Sequence, residues 1–250
     1  MIAEAIRPRL GVIGGLGPLA SADFFFKFTR LTPARTDAEH VPAVMLSVPQ
    51  LPARTEAILR GTDEPLLPLR NAVEALNGLG VDCIAIPCNT AHHWYEQIAE
   101  ASRARIIHIA DAVVSDLRSR PHREKIAVLA TQGTLASGFY QTRIRAAGYE
   151  LFVPASAEFQ ASVDDAIDLV KSGMVAEAAS AFRTALRLAR STGARTAVLG
   201  CTELSVAANG LATADPDIVD CNVSLARACL AHLGYGASGD TERGLLAAAN

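Results

Sequence analysis

The chain says much the same thing twice, and this repetition constrains its fold more than any other feature. GLGVDCIAIPCNT (residues 78–90) aligns with STGARTAVLGCTE (residues 191–203): glycine, a turn, an apolar run, a small residue or proline, cysteine, then amide, hydroxyl or acid groups. The two cysteines, Cys88 and Cys201, stand 113 positions apart. A second pair, LGPLASADFF (16–25) and QGTLASGFYQ (132–141), repeats at an offset of 116 between Gly17 and Gly133. Two echoes at nearly one spacing point to two similar halves, although short strings of Gly, Ala, Ser and Leu also recur by chance in alanine-rich chains.

Each half ends an apolar strand on a cysteine. In IAIPCNTAHHW (84–94) the β-branched run breaks at Pro87 and a helix-like segment follows, which puts Cys88 at a strand end. Backbone N–H groups and a helix N-terminus there favour thiolate over thiol. The alternative for Cys88 is a buried structural cysteine. Open parallel α/β sheets bind ligands outside the carboxyl ends of their strands. Two such halves packed face to face set Cys88 and Cys201 on opposite sides of one cleft. One thiolate can then remove a proton from a carbon while the other thiol returns one to the opposite face.

Strands are expected at 10–13, 43–48, 84–86, 106–109, 126–130, 197–199 and 217–221. Helices are expected at 20–31 and 66–79, from the first cysteine motif to about 102, over 158–190 with a break at 171–174, and at 223–233. The polar stretch SDLRSRPHREK (115–125) reads as a linker. The organisation is then residues 1–114 plus 220–250 as one α/β domain carrying Cys88, and residues 115–219 as a second carrying Cys201, with 234–250 a loosely held tail.

Half of the 250 residues are apolar, one fifth are charged and the net charge is −3, so there is no electrostatic footprint for nucleic acid. No run approaches the ~18 apolar residues of a membrane span, and the first ten residues lack the apolar core of a signal peptide. A cytoplasmic location is the expectation. Five cysteines read as reduced thiols, with Cys83, Cys221 and Cys229 in the core.

Other residues carry a chemical reading beside a structural one. The turn Gly14-Gly15-Leu16-Gly17-Pro18 is not GxGxxG, and Pro18 removes an N–H that a phosphate needs. Its use is to bring backbone at Leu16 and Gly17 close to a small ligand. Arg54, ending the loop PQLPAR, is either a solvated charge or a fork for a carboxylate. Lys171, in the last turn of a helix closed by Gly173, is either a partner of the helix dipole or part of the site. Thr131 and Thr134 offer hydroxyls. Cys88 and His92 are four apart, but a zinc site needs three or four converging ligands and the second motif brings no histidine, so no metal is expected.

These motifs resemble the aspartate/glutamate racemase superfamily, and within it the cofactor-independent aspartate racemases. The resemblance runs over most of the chain through GVIGGLGPLASADFF, LTPARTDAEHVP, PQLPART, AIPCNTAH, LATQGTLASGFYQ, VKSG and LGCTEL, in family order. Glutamate racemases typically carry histidine where this chain has Glu203. Leu16 replaces a usual methionine, and His93-Trp94 stands where alanine and phenylalanine are common. The resemblance implies two pseudo-symmetric three-layer α/β domains, each with a mainly parallel four-stranded sheet, and an active site in the cleft between them. It further implies a homodimer and no cofactor. By motif, Cys88 and Cys201 match the catalytic thiols. Asn89, Thr90, Thr131, Thr134 and Thr202 match positions that hold the α-carboxylate or line the cleft, and Arg54 and Lys171 match the basic residues for a side-chain carboxylate. Leu16, Gly17 and Glu203 complete the implied substrate-binding set.

The reaction implied is racemisation of an acidic amino acid, aspartate first, with glutamate or another acidic amino acid as the alternative. Maleate-type isomerisation or malonate decarboxylation is a further use of the scaffold, and a carboxylate-binding sensor is the non-enzymatic one. Racemisation sets a demand: a Cα–H is about twenty pKa units less acidic than a thiol, which is ~27 kcal/mol uphill. A turnover of ~10 per second allows ~16 kcal/mol. Donors converging on the α-carboxylate, each worth ~3 kcal/mol in a dry preorganised site, must supply the remaining ~11 kcal/mol.

Overall fold

The computed structural model describes residues 7–120, 125–152, 156–208, 211 and 215–236. The first half runs β1 (Leu10–Gly14), α1 (Pro18–Leu31), β2 (Ala43–Ser47), α2 (Arg54–Arg60), α3 (Leu66–Leu79), β3 (Cys83–Ala85), α4 (Tyr95–Glu100), β4 (Arg105–Ile106) and α5 (Ile109–Ser119). The second runs β5 (Ile126–Leu129), α6 (Gln132–Ser137), α7 (Phe139–Ala146), β6 (Leu151–Phe152), α8 (Ala157–Lys171), α9 (Val175–Ser191), β7 (Thr196–Leu199), α10 (Thr202–Ala207), β8 (Ile218–Asp220) and α11 (Cys221–His232).

Each half builds a four-stranded parallel sheet, in the orders β2-β1-β3-β4 and β6-β5-β7-β8. The two orders are the same pattern, which gives the sequence repeat its structural meaning. β1 and β5 carry the glycine turns, and their neighbours β3 and β7 lead to the cysteines. In both sheets the strand order reverses between these two strands, where a crevice opens at the carboxyl ends.

Alternation along the strands explains the core. Leu10 and Val12 of β1, Cys83 and Ala85 of β3, Ile126 and Val128 of β5 and Val198 of β7 all face one apolar cluster shared by the halves and filled by α1, α5 and α11. The intervening residues point outwards. Ile13, Ile84 and Ile86 meet α3, while Ala127, Leu129 and Leu199 meet α8 and α9. Sheets covered on both faces require the near-continuous apolar strands seen in the sequence.

Three expectations change. The strand expected at 106–109 stops at Ile106, because Ile109 begins α5, capped by His108, whose ring accepts from the Ala110 N–H at 3.1 Å. Residues 115–119 of the expected linker are helix. Val113, Val114 and Leu117 face the core, while Asp116 meets Ser224 at 2.9 Å and Arg227 at 3.5 Å on α11. The polarity of that stretch is one helix face and its ties to a neighbour. Arg54 does not end a loop but opens α2. Residues 121–124 of the linker and 237–250 of the expected tail lie outside the described residues.

At the first glycine turn Gly15 has φ +85°, and a Cβ there would lie 2.5 Å from Val48 N, so only glycine fits. Ser21 holds the turn by accepting from Gly15 N at 2.9 Å and donating to Gly17 O at 2.8 Å. No helix among the described residues is long and apolar enough to cross a membrane.

Candidate active site

A cavity of about 570 Å³ opens between the carboxyl ends of the two sheets. Its wall includes Leu16, Gly17, Arg54, Cys88, Asn89, Thr90, Thr131, Lys171, Cys201, Thr202 and Glu203. Thr134 is buried just behind, 3.0 Å from Thr90 Oγ1. The expected site residues therefore come together, from six separate stretches of chain.

The halves meet at this wall through short polar bonds. Thr90 of the first half and Thr131 and Thr134 of the second form a closed triangle of hydroxyls at 3.0–3.1 Å. Thr131 also caps α6 by accepting from Thr134 N. Thr202 Oγ1 donates to the Pro87 carbonyl at 3.2 Å, which ties the second cysteine motif directly to the first. Such a hydroxyl triangle can rotate its protons towards an incoming carboxylate without rebuilding the backbone.

The two thiols have different surroundings. Both cysteines are only 5% exposed. Cys201 donates its S–H to Glu203 Oε2 at 3.0 Å, and burial, then the Glu203 charge, push this thiol well above its ordinary value, with Cys88 adding to the effect. Among the described residues Cys88 Sγ has no hydrogen-bond partner. The Cys88 carbonyl instead accepts from His92 Nδ1 at 2.9 Å. His92 is buried beside His108 and Tyr95, and burial lowers it to about 4, so its ring is neutral near pH 7. Among the described residues no cluster of three His, Cys, Asp or Glu side chains could hold a metal ion.

Asn89 is more heavily committed than its position in the motif suggests. Its Oδ1 accepts from Tyr140 OH at 2.6 Å, and its Nδ2 donates to Cys221 Sγ at 3.3 Å. The sequence offers no signal for Tyr140 at this site, and it reads Cys221 as core. Burial pushes the Cys221 thiol up to about 12, so it stays a neutral acceptor.

Arg54 Nη1 donates to the Leu51 and Pro52 carbonyls at 3.3 Å and Nη2 to Leu16 O at 2.9 Å, while its buried Nε has no partner among the described residues. The guanidinium is thus fixed by three carbonyls with part of its fork left over. Lys171 is half exposed and paired to Asp168 at 3.0 Å; burial opposes its charge, but Asp168, Glu203 and Cys201 together raise its value. Trp94 is buried outside the cavity wall, with Nε1 donating to Asp63 at 2.6 Å.

Two parallel sheets of the same strand order, each leading from an equivalent strand to a cysteine in the wall of one cavity, give the fold and site their character. The model of the Asp/Glu/hydantoin racemase family matches residues 13–229, and the chain belongs to that family. It is an amino-acid racemase of this family, and so an isomerase. The broad specificity amino-acid racemase RacX of Bacillus subtilis is 27% identical over 232 residues, covering 90% of this chain and 99% of the relative. The structure of Picrophilus torridus aspartate racemase superposes with a TM-score of 0.80 at 28% identity, over 90% of this chain and 94% of the other. Glutamate racemase from Francisella tularensis shares the fold at a TM-score of 0.63 and 15% identity, over 94% and 85% of the two chains.

Proposed function

We propose that the protein racemises acidic amino acids, aspartate foremost, by two-thiol proton transfer at Cα without a cofactor, as a cytoplasmic homodimer. The observation that carries the reading is that Cys88 and Cys201 line one cavity from equivalent strand ends of two similar halves. On this reading the α-carboxylate displaces the Thr90–Thr131–Thr134 triangle and takes its hydroxyls as donors. Four donors at ~3 kcal/mol each meet the carbanion requirement, of which the three hydroxyls supply ~9 kcal/mol. Arg54 offers the rest of its fork to the side-chain carboxylate, and Lys171 adds a cation at the rim. One thiolate removes the proton, and the opposite thiol delivers another.

A broader substrate range is the second reading. It is favoured by the pairing of Lys171 with Asp168, which offsets its charge, and by the three carbonyls that occupy Arg54, which leave fewer N–H donors for a distal carboxylate.

The test is proton NMR of the purified enzyme in D₂O against L- and D-aspartate, glutamate and alanine, followed by chiral analysis. Loss of the Cα–H signal with inversion of aspartate is expected. Cys88→Ser and Cys201→Ser should each abolish inversion, while exchange of one enantiomer without inversion survives. Normal racemisation by both single variants would refute the two-thiol mechanism. No exchange with any member would move the assignment to maleate and substituted malonates.

A further inference from the structure

Cys201 poses a chemical problem that Cys88 does not. It is buried and its S–H points at the Glu203 carboxylate, so loss of that proton to water leaves two negative charges side by side in a site shielded from solvent. The same carboxylate supplies the way out, because it can receive the proton itself and keep the charge of the pair unchanged.

We propose that Glu203 is a catalytic residue that exchanges a proton with Cys201, so that the second half works as a thiol–carboxyl pair while Cys88 works alone. The proposal rests on the racemase reading with its two thiols, and adds an asymmetry between them. Four observations carry it. The Sγ–Oε2 separation is 3.0 Å, with both side chains 5% exposed. Thr202 Oγ1 lies 3.4 Å from the same Oε2 and 3.2 Å from the Pro87 carbonyl and shares its one proton between them, which ties the carboxyl to both motifs. The other oxygen, Oε1, sits where a side chain on Gly17 would be, 2.7 Å from an added Cβ, so the glycine turn of the first half is shaped around this group. Glu203 itself lines the cavity.

The protons balance as follows. Movement of the Cys201 proton to Oε2 gives a thiolate and a carboxylic acid with one negative charge between them. The thiolate takes the Cα proton; the C–H electron pair stays on the substrate carbon, and the pair now holds two protons. The Cys88 thiol protonates the opposite face of the carbanion and becomes a thiolate. The opposite enantiomer uses that state directly, with Cys88 as base and the doubly protonated pair as acid. A further turnover of the first enantiomer follows transfer of one proton from Glu203 to Cys88 through solvent.

Glu203→Gln keeps the size and cannot accept the proton. Racemisation should fall at least ~100-fold, the usual scale for a lost acid–base group, and in both directions, since the equilibrium between enantiomers is unity. Exchange of Cα–H in D₂O, followed separately for L- and D-aspartate, separates the roles. The enantiomer silenced in Glu203→Gln should be the one silenced in Cys201→Ser, while the other keeps at least about a tenth of wild-type exchange. Glu203→Asp should recover part of the exchange for the affected enantiomer alone. An orienting or structural role moves both enantiomers together, so symmetric loss in both variants overturns the proposal, as does unimpaired racemisation by Glu203→Gln. If the wild-type enzyme itself neither exchanges nor inverts any amino acid, it is the racemase reading that fails.

Discussion

Tyr140 OH donates to Asn89 Oδ1 at 2.6 Å, across the boundary between the two halves and with both side chains buried. With Cys221 accepting from Nδ2, this bond sets the amide plane of the residue that follows Cys88. Tyr140→Phe leaves that carbonyl oxygen without a partner, at a cost of ~1–3 kcal/mol. We expect urea unfolding to register this loss. We also expect kcat/KM to fall more than the corresponding Ile144→Val change, which removes packing on the same helix and leaves Asn89 alone. Equal effects would reduce Tyr140 to a core residue.

Arg54 and Lys171 should differ in kind. Arg54 is bonded to the carbonyls of Leu16, Leu51 and Pro52, so Arg54→Ala should lower thermal stability and also raise KM for aspartate at least ~10-fold, the scale of one lost charged hydrogen bond. Lys171, half exposed, should leave stability within ~0.5 kcal/mol when changed to alanine and act on dicarboxylates alone. If alanine racemisation suffers as much as aspartate in both variants, neither residue reads the side chain.

His92 and His108 should make the fold acid-sensitive in a defined window. Burial lowers both, His92 to about 4 and His108 further, the latter also by its neighbour His92. The unfolded chain binds their protons below about pH 6.5, whereas the folded chain does not until His92 titrates. Their contribution is therefore present above pH 6.5 and lost as pH falls. With two such groups the unfolding free energy should drop by up to ~2.7 kcal/mol per pH unit between pH 6 and 4. Unfolding curves at several pH values measure the slope, and His92→Gln should reduce it by about half.

Lys27 joins α1 to the second sheet. Its Nζ lies 2.7 Å from both Asp23 and Asp220. Burial opposes all three charges, yet Asp220 and Asp23 hold Lys27 above its ordinary value, and Lys27 with Ser205 holds Asp220 below its own. Asp23, at the same distance from the lysine, is raised by burial, and the Asp220 charge adds to the effect. Lys27→Met should cost ~3–5 kcal/mol by leaving the Asp220 charge buried and unpaired. The Asp220 contribution is present above pH 3.8 and disappears as pH falls through its lowered value. The Lys27 contribution is present below pH 10.5 and is lost as pH rises through its raised one. An unfolding titration that finds the variant as stable as the parent at pH 7 would contradict this.

Much of this architecture is local and so was legible in the chain. Apolar runs ending at Pro87 and Gly200 mark β3 and β7, the helical spacing of Leu69, Val73 and Leu76 marks α3, and Gly173 marks the break between α8 and α9. The repeat predicts two equivalent sheets, because the same pattern of turns and strands must fold the same way twice. What the sequence could not carry is which side chains meet once those sheets pack. The prolines before Arg54 mark a loop, yet Arg54 starts a helix whose Ala57 is buried. The charges of the 115–125 stretch suggest a linker, yet Asp116 finds Ser224 and Arg227 more than a hundred positions away. Tyr140 on Asn89, Lys27 on Asp220 and Gly17 against Glu203 likewise join residues from distant segments. Periodicity and turn chemistry act over a few residues and determine the elements. The polar partners of a buried group are decided only when tertiary packing removes water from it.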